Sequence, residues 1–399
     1  MTFVFWQNII SPHQSSFLRA LAANGHKVTV VATEAITPDR LALGWKVPDT
    51  GKCEVILAPS SEEIRQIIGG GGRRAGSSEQ DAIHILAGAR WTLLGEQATR
   101  LCIAQNRRMG VLSEAPDPRG VAGLGRRVKY AAERFTTGRH FDFVLAMGAM
   151  GVDWFRHCGY PASRLFPFAY VTERRAASGE SQVASGDQKI DSARSQLFAP
   201  HSSLPESVTI LYVGQLIRRK RADLLLHAFA QNLASRSRLP AACLVLLGDG
   251  PEETTLRQLA DRLEISETVV WLGRKDSGEI PTYMAAADVL ALPSGHDGWG
   301  AVVNEALMAG TPVICSSASG AAELLRESWR GEVFPAGSVS ALAAALQRRI
   351  VAGRLAPQAR EQIKVWSTTI GGEAVADYFL RIMRRVYEGG ECQEAPWRE

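Results

Sequence analysis

"ILYVGQLIRRKRADLLLHAF", Ile210 to Phe229, holds a strand, a glycine turn, a basic cluster and a helix in sequence. Ile210–Val213 is apolar without alternation, the pattern of a strand covered on both faces. Gly214 ends it, Arg218, Arg219, Lys220 and Arg221 follow at its carboxyl end, and leucines at helical spacing then run through Ala222–Leu233. A strand that passes through a glycine turn into a helix is the repeating unit of a doubly wound parallel sheet.

The same alternation extends outward along the chain. Further strands are expected at Leu244–Leu247, Val269–Leu272, Val289–Leu292 and Val313–Cys315 in the second half. In the first half they are expected at Phe3–Trp6, Val28–Ala32, Val55–Ala58, Ile83–Ala87, Val111–Ser113, Phe143–Ala146 and Leu165–Phe168. Helical stretches such as Ser16–Ala23, Trp91–Gln105 and Glu252–Leu263 separate them. The alternation breaks once, in the Ser-, Ala- and Gly-rich segment Glu173–Ser207. The expected layout is therefore a Rossmann-like domain at 1–172, a linker or mobile loop at 173–207, and a second Rossmann-like domain at 208–365. A C-terminal helix at 366–388 is expected to pack back on the first domain, and the tail 389–399 to be disordered. Ligands of such sheets sit at the carboxyl ends of the strands, so a cleft between two facing domains is the expected site.

The bulk numbers exclude several classes. With 399 residues, 46% hydrophobic and 22% charged, the chain has an ordinary globular composition. A net charge of +4 is too small to argue for a nucleic-acid partner, and none is expected. Six cysteines with no CxxC pair point away from metal or redox sites and towards a reduced, cytoplasmic compartment. "MTFVFWQNIISPHQ" lacks a basic n-region and reads as a first strand. No apolar run reaches the roughly 18 residues of a membrane span. Any membrane contact is expected to be peripheral.

Three segments of the second half carry candidate chemistry. In "SGHDGWGAVVNEALMAG", Ser294–Gly310, glycines at 298 and 300 open a helix whose free N–H groups favour an anion. Asp297 precedes that turn and Glu305 lies further along, where a carboxylate can accept both hydroxyls of a ribose. The plain alternatives are a cap or turn role for Asp297 and a solvated helix glutamate at 305. The basic run 218–221 suits a diphosphate, or else is a solvated loop. In "LVLLGDGPEETTLRQLA", Leu244–Ala260, a strand runs into Gly248 and Gly250, and Pro251 is placed to start a helix. The dinucleotide fingerprint GxGxxG and the phosphate loop GxxxxGK[ST] are both missing, which disfavours a nicotinamide dehydrogenase.

Taken in order, "GQLIRRKR", "GDGP" and "DGWGAVVNE" resemble the donor half of retaining glycosyltransferases of the GT-B fold, glycosyltransferase family 4. The family pattern is G-R-L-x-x-x-K-G, G-x-G-P and E-x7-E. Gln215 stands for its arginine, Arg221 for its loop glycine and Asp297 for its first glutamate. In the first half, "GVLSEAPDPRG" and "LAMGAMGVDWFRHCGY" look more loosely like a bacterial polysaccharide-building subgroup. The resemblance implies a transfer from a nucleotide-diphosphate sugar to a glycan or lipid-linked acceptor, with retained anomeric configuration and no metal or other cofactor. Lys220 then neutralises the donor diphosphate, with Arg218, Arg219 or Arg221 able to supply the charge that Gln215 lacks. The backbone at Gly298, Trp299, Gly300 and Ala301 meets the distal phosphate, and Glu305 holds the ribose. Gly248, Gly250 and Arg274 lie along the donor site, and Asp297 lies beside the sugar.

On the acceptor side, His13 follows the first strand and Glu114 follows "GVLS", and either can accept the acceptor hydroxyl's proton. A capped or packed histidine is the alternative for His13. Arg119, Arg126, Arg127, Lys129, Arg134 and Arg139 gather in one stretch, with Arg107 and Arg108 just before it, and Val121, Leu124, Val128 and Tyr130 are interleaved. A basic amphipathic helix of this kind suits an anionic membrane surface. Two other readings remain open on sequence: a degenerate GT-B scaffold without turnover, favoured by Gln215 and Asp297, and another GT-B enzyme such as a sugar-nucleotide epimerase.

Overall fold

The computed structural model describes residues 1–42, 44–69, 82–88, 92–173, 207–234, 241–391 and 394–398. The expected linker at 173–207 lies outside them except at its two ends. The chain divides into two compact units, one of residues 1–173 with 369–399, the other of residues 174–368.

The first unit is a parallel sheet of β1 (Thr2–Ile9), β2 (Lys27–Glu34), β3 (Glu54–Leu57), β4 (Ile83–Ala87), β5 (Met109–Ser113), β6 (Phe143–Met147) and β7 (Leu165–Phe168). Their order is β3-β2-β1-β4-β5-β6-β7. The second unit is a parallel sheet of β8 (Val208–Val213), β9 (Ala242–Leu247), β10 (Val269–Gly273), β11 (Val289–Leu292), β12 (Val313–Ser316) and β13 (Gly331–Phe334), ordered β10-β9-β8-β11-β12-β13. Helices follow most strands, which is why the central strands are apolar on both faces: β5, β6, β9, β11 and β12 are buried throughout. Each large aliphatic side chain so buried stabilises the unit by about 2 kcal/mol. Strand order reverses between β1 and β4 and again between β8 and β11. These are the two switch points where the geometry of a doubly wound sheet opens a crevice.

β13 is the one strand among those described that the sequence pattern does not reveal. "GEVF" is short, has a glycine and a glutamate, and is only half-buried at the sheet edge. It is pinned by backbone: a Cβ on Gly331 would fall 2.0 Å from the Val313 carbonyl.

The C-terminal helix Gly372–Glu388 lays Val375, Tyr378, Phe379, Ile382 and Met383 on the first unit. Phe379 meets Phe3 and Phe17 edge-on at 5.1 and 5.3 Å. Its first turn touches the helix Ser15–Ala23 backbone to backbone, since a Cβ on Gly372 would lie 2.6 Å from the Ser16 carbonyl. Of the tail expected to be disordered, residues 394–398 are described, and they pack on the first unit. Trp397 is fully buried in a short 3-10 turn, Pro396–Arg398, and packs edge-on against Tyr378 at 5.5 Å. A single tryptophan hidden in a polar tail outweighs the composition around it.

Candidate functional site

The second unit brings Arg219, Lys220 and Asp297 together at the β8–β11 switch point. After β8 the chain makes a 3-10 turn, Arg218–Lys220, closed by the Lys220 amide donating to the Ile217 carbonyl at 2.9 Å. Arg221 follows with φ 55° and ψ 41°, the left-handed conformation that glycine adopts without cost. Its guanidinium grips Asp223, Nε to Oδ1 at 2.9 Å and Nη2 to Oδ2 at 3.0 Å. Sequence pattern marks this position as the family's loop glycine; the chain keeps the glycine conformation with an arginine in it.

After β11 the chain places Asp297 over that turn. Lys220 Nζ donates to Asp297 Oδ2 at 2.5 Å, and Arg219 Nη1 lies 3.6 Å from Oδ1. Ser294 Oγ donates to the same Oδ2 at 3.3 Å, and Arg219 also holds the His296 carbonyl at 2.8 Å. The lysine and the aspartate are both largely shielded, with side chains 17% and 13% exposed. Lys220 and Asp297 were expected in separate roles, one at phosphate and one at sugar; here they form one pair. Beneath them, burial pushes the Tyr212 phenol above its ordinary range, with the Asp297 charge adding to it. Burial also pushes the Cys315 thiol up to about 12. Neither is a nucleophile in this state.

The glycines serve the chain's own packing. A Cβ on Gly248 would fall 1.9 Å from the Gly214 carbonyl, and one on Gly250 would fall 2.5 Å from the Leu216 carbonyl. These two turns therefore interlock through backbone, with the Leu216 amide donating to the Asp249 carbonyl at 2.7 Å. Gly300, at φ 96°, faces Ser319 Oγ at 2.7 Å, and Gly320 comes within 2.4 Å of the Gly298 carbonyl by the same measure. At Gly248, Gly250 and Gly300 the side that a Cβ would occupy is filled by neighbouring turns, and the Gly298 carbonyl lies against Gly320. Trp299 is likewise a core residue, 1% exposed, with Nε1 donating to Asn304 Oδ1 at 2.7 Å. Its carbonyl accepts from the Ala321 amide at 2.8 Å and from Ser319 Oγ at 2.5 Å. The helix that follows, Val302–Met308, is only seven residues long, with Ala301 as its cap and Glu305 half-buried on it. Gln215 is exposed, and its carbonyl accepts from Tyr212 at 2.9 Å. Arg274 pairs with Asp249 at 2.7 Å, on a half-exposed surface where such a pair contributes little.

The first unit assembles a different cluster at its own carboxyl edge. His13 follows β1, Glu114 follows β5 and Tyr170 follows β7. The imidazole of His13 stacks on Tyr170 with ring centres 5.4 Å apart and meets Trp45 edge-on at 5.2 Å. The Arg40 guanidinium lies 4.0 Å above Trp45. The Tyr170 phenol hydrogen-bonds Glu114; burial, then the Glu114 charge and this bond, hold it well above its ordinary range, so it stays the donor. The two residues expected from sequence are thus joined through Tyr170, and Trp45, Arg40 and Tyr170 were missed. "GWK" and "FAYVTE" carry no pattern that separates them from packing residues.

Residues 194–365 match the family model described as "Glycosyl transferases group 1". Among relatives, the GDP-mannose-dependent alpha-(1-6)-phosphatidylinositol monomannoside mannosyltransferase of Mycobacterium tuberculosis is 34% identical over 155 residues, 37% of this chain and 40% of its own. The lipopolysaccharide core biosynthesis glycosyltransferase LpsE of Rhizobium meliloti is 28% identical over 181 residues, 45% of this chain and 50% of its own. The chain therefore spans half or less of the length of these relatives. The structure of Anabaena Alr3699/HepE in complex with UDP superposes with a TM-score of 0.67 at 16% identity, covering 96% of this chain and 99% of that one. Two parallel-sheet α/β domains with this likeness are the GT-B fold.

Proposed function

We propose, from the glycosyl transferase group 1 match of residues 194–365, that this protein is a retaining glycosyltransferase of family 4. In this reading it moves a hexosyl unit from a nucleoside diphosphate sugar to a glycan or lipid-linked acceptor of cell-surface polysaccharide, without a metal. The observation that carries the reading is the Lys220–Asp297–Arg219 cluster at the β8–β11 switch point. Cations preorganised by a carboxylate, in a shielded place, are what a departing diphosphate requires.

The chemistry follows from those parts. The anomeric C–O bond breaks as negative charge builds on the leaving phosphate, which Lys220 and Arg219 stabilise. A diphosphate competes with Asp297 for the two cations, and the carboxylate is released towards the positive charge and the hydroxyls of the sugar. Asp297 is one methylene shorter than the family's glutamate, about 1.5 Å of reach, so the sugar must sit closer to β11. Gln215 contributes one hydrogen bond, and Glu305 accepts the ribose hydroxyls. On the acceptor side, Glu114 or His13 takes the proton of the attacking hydroxyl.

The helix Gly120–Thr136 supports a peripheral station on the inner face of an anionic membrane. It buries only Gly123, leaving Val121, Leu124 and Val128 exposed at 89%, 63% and 64% between Arg126, Arg127 and Lys129. Basic side chains around an uncovered apolar face fit a lipid interface. Among the described residues no helix is long and apolar enough to cross a membrane.

The test is calorimetry with GDP-mannose, UDP-glucose, GDP and UDP, the nucleotides that the relatives' names suggest, followed by transfer assays with the donor that binds. One nucleotide binding in the micromolar range, weakened at least tenfold by Lys220→Ala and by Glu305→Ala, supports the reading. No binding by any nucleotide would move the chain to the degenerate-scaffold reading that Gln215 favours.

A further inference from the structure

We propose that the amino edge of the first sheet holds a second ligand site, a pocket for a phosphate group built by Arg107, Arg108, Arg139 and His140. The four residues come from two turns, one entering β5 and one entering β6. They therefore lie at the opposite edge of that sheet from His13, Glu114 and Tyr170, and the inference does not depend on the transferase reading. Together with Asp142 and Tyr387 they line a pocket of about 470 Å³, roomy enough for a phosphate and the group that carries it.

Three arginines and one carboxylate are among the residues that line it, Arg107 donating Nε and Nη2 to Gln105 Oε1 at 3.4 and 3.3 Å, and the carboxylate is engaged by its own chain. Asp142 Oδ2 accepts from the Met109 amide at 3.0 Å and from the Tyr387 hydroxyl at 2.9 Å. Gathering like charges costs free energy unless an anion offsets it. The basic groups are also held in place. The Arg108 guanidinium lies 4.9 Å from the centre of the Tyr387 ring, which fixes its plane. Arg139 Nε donates to His140 Nε2 at 3.1 Å, so the Nη edge of the guanidinium remains for a ligand. Arg164 Nη1 donates to the carbonyls of Arg139 and Phe141 at 3.1 and 3.0 Å, adding a further positive charge behind the turn. Asn106, next to Arg107, adopts a left-handed φ of 51°, a conformation uncommon outside glycine that sets the direction of the turn. Fixed guanidinium forks match the oxygens of a phosphate better than those of a chloride or a single carboxylate.

The experiment follows thermal unfolding of the full chain in sodium phosphate and in sodium chloride of equal ionic strength. Binding to the folded state raises the midpoint by about 2–4 °C at saturating phosphate. Arg108→Gln/Arg139→Gln should lose this phosphate-specific rise while keeping its midpoint in chloride, since both side chains are exposed. Arg139→Gln alone serves if the double variant fails to fold. No phosphate-specific rise in the native chain overturns the proposal. So does an equal rise in the variants, which would put the phosphate elsewhere, the β8–β11 turn included. A second arm sediments the chain with phosphatidic acid vesicles. Sedimentation that free phosphate reverses and the double variant loses assigns the phosphate to a lipid headgroup; the thermal rise without it assigns a soluble phosphate ester.

Discussion

The carboxyl edges of the two sheets are built from different materials. In the second unit the edge is mostly backbone: glycines 214, 248 and 250 let neighbouring turns interlock, and the charged groups Lys220 and Asp297 meet above β8 and β11. In the first unit the same edge is side chains, with His13, Trp45, Glu114 and Tyr170 converging from four separate segments. Backbone interlocking tolerates no change of residue type and so leaves a motif in the sequence. A side-chain cluster can be built from many residue types and leaves none. In the proposed reading the second edge takes the part of the ligand that is always the same, the nucleotide diphosphate, and the first takes the acceptor.

The harshest way to break this comparison is Gly248→Ala. The added Cβ would sit 1.9 Å from the Gly214 carbonyl, on a residue whose φ of 145° is outside the range of side-chain-bearing residues. Either the turn after β8 moves or that after β9 does. We expect a loss of about 3 kcal/mol in unfolding free energy, from overpacking and backbone strain together, measured by denaturant titration. Nucleotide affinity should fall with it, because Lys220 rides on the displaced turn. A Gly248→Ala chain with native stability would show that the interlocking is not what holds the edge.

A middle-sized effect is expected on the other edge. Tyr170→Phe removes the hydroxyl that Glu114 accepts while keeping the ring on which His13 stacks. Loss of one hydrogen bond to a charged group lowers kcat/KM for transfer about tenfold, or ~1.4 kcal/mol. Nucleotide affinity by calorimetry should not change. If both fall together, the division of labour between the edges is wrong.

What was legible follows the same divide. β1 to β12 announce themselves as apolar runs bounded by glycine or charge, and the three donor-side motifs announce themselves by spacing. Lys220 and Asp297 could be named but not paired, because their contact depends on how the turns after β8 and β11 fold towards one another. Trp299 could be placed between two glycines, but that its indole is core, with Nε1 on Asn304 Oδ1 and its carbonyl held by Ser319 and Ala321, depends on the fold. Tyr170, Trp45 and Arg40 were invisible, since aromatic and basic residues in loops are common and only the sheet order brings these to His13. Trp397 was hidden by its polar neighbours.

The smallest effect sharpens the account of the second edge at Arg221. Its left-handed backbone costs about 1 kcal/mol relative to glycine, and its partly exposed ion pair with Asp223 returns only about 0.5 kcal/mol. Arg221→Gly should therefore stabilise the chain by about 0.5 kcal/mol, while Arg221→Ala, which keeps the strain and loses the pair, should destabilise it by a similar amount. Thermal unfolding of the three chains gives the order Gly, Arg, Ala. Nucleotide affinity decides what the arginine is for. With the guanidinium held on both oxygens of Asp223 at 2.9 and 3.0 Å, affinity should stay within about twofold in the glycine variant, and the turn is then a matter of backbone alone. A tenfold loss would mean that Arg221 leaves Asp223 when a donor arrives and supplies the charge that Gln215 does not. The second edge would then also depend on a side chain that moves, and the contrast with the first would narrow.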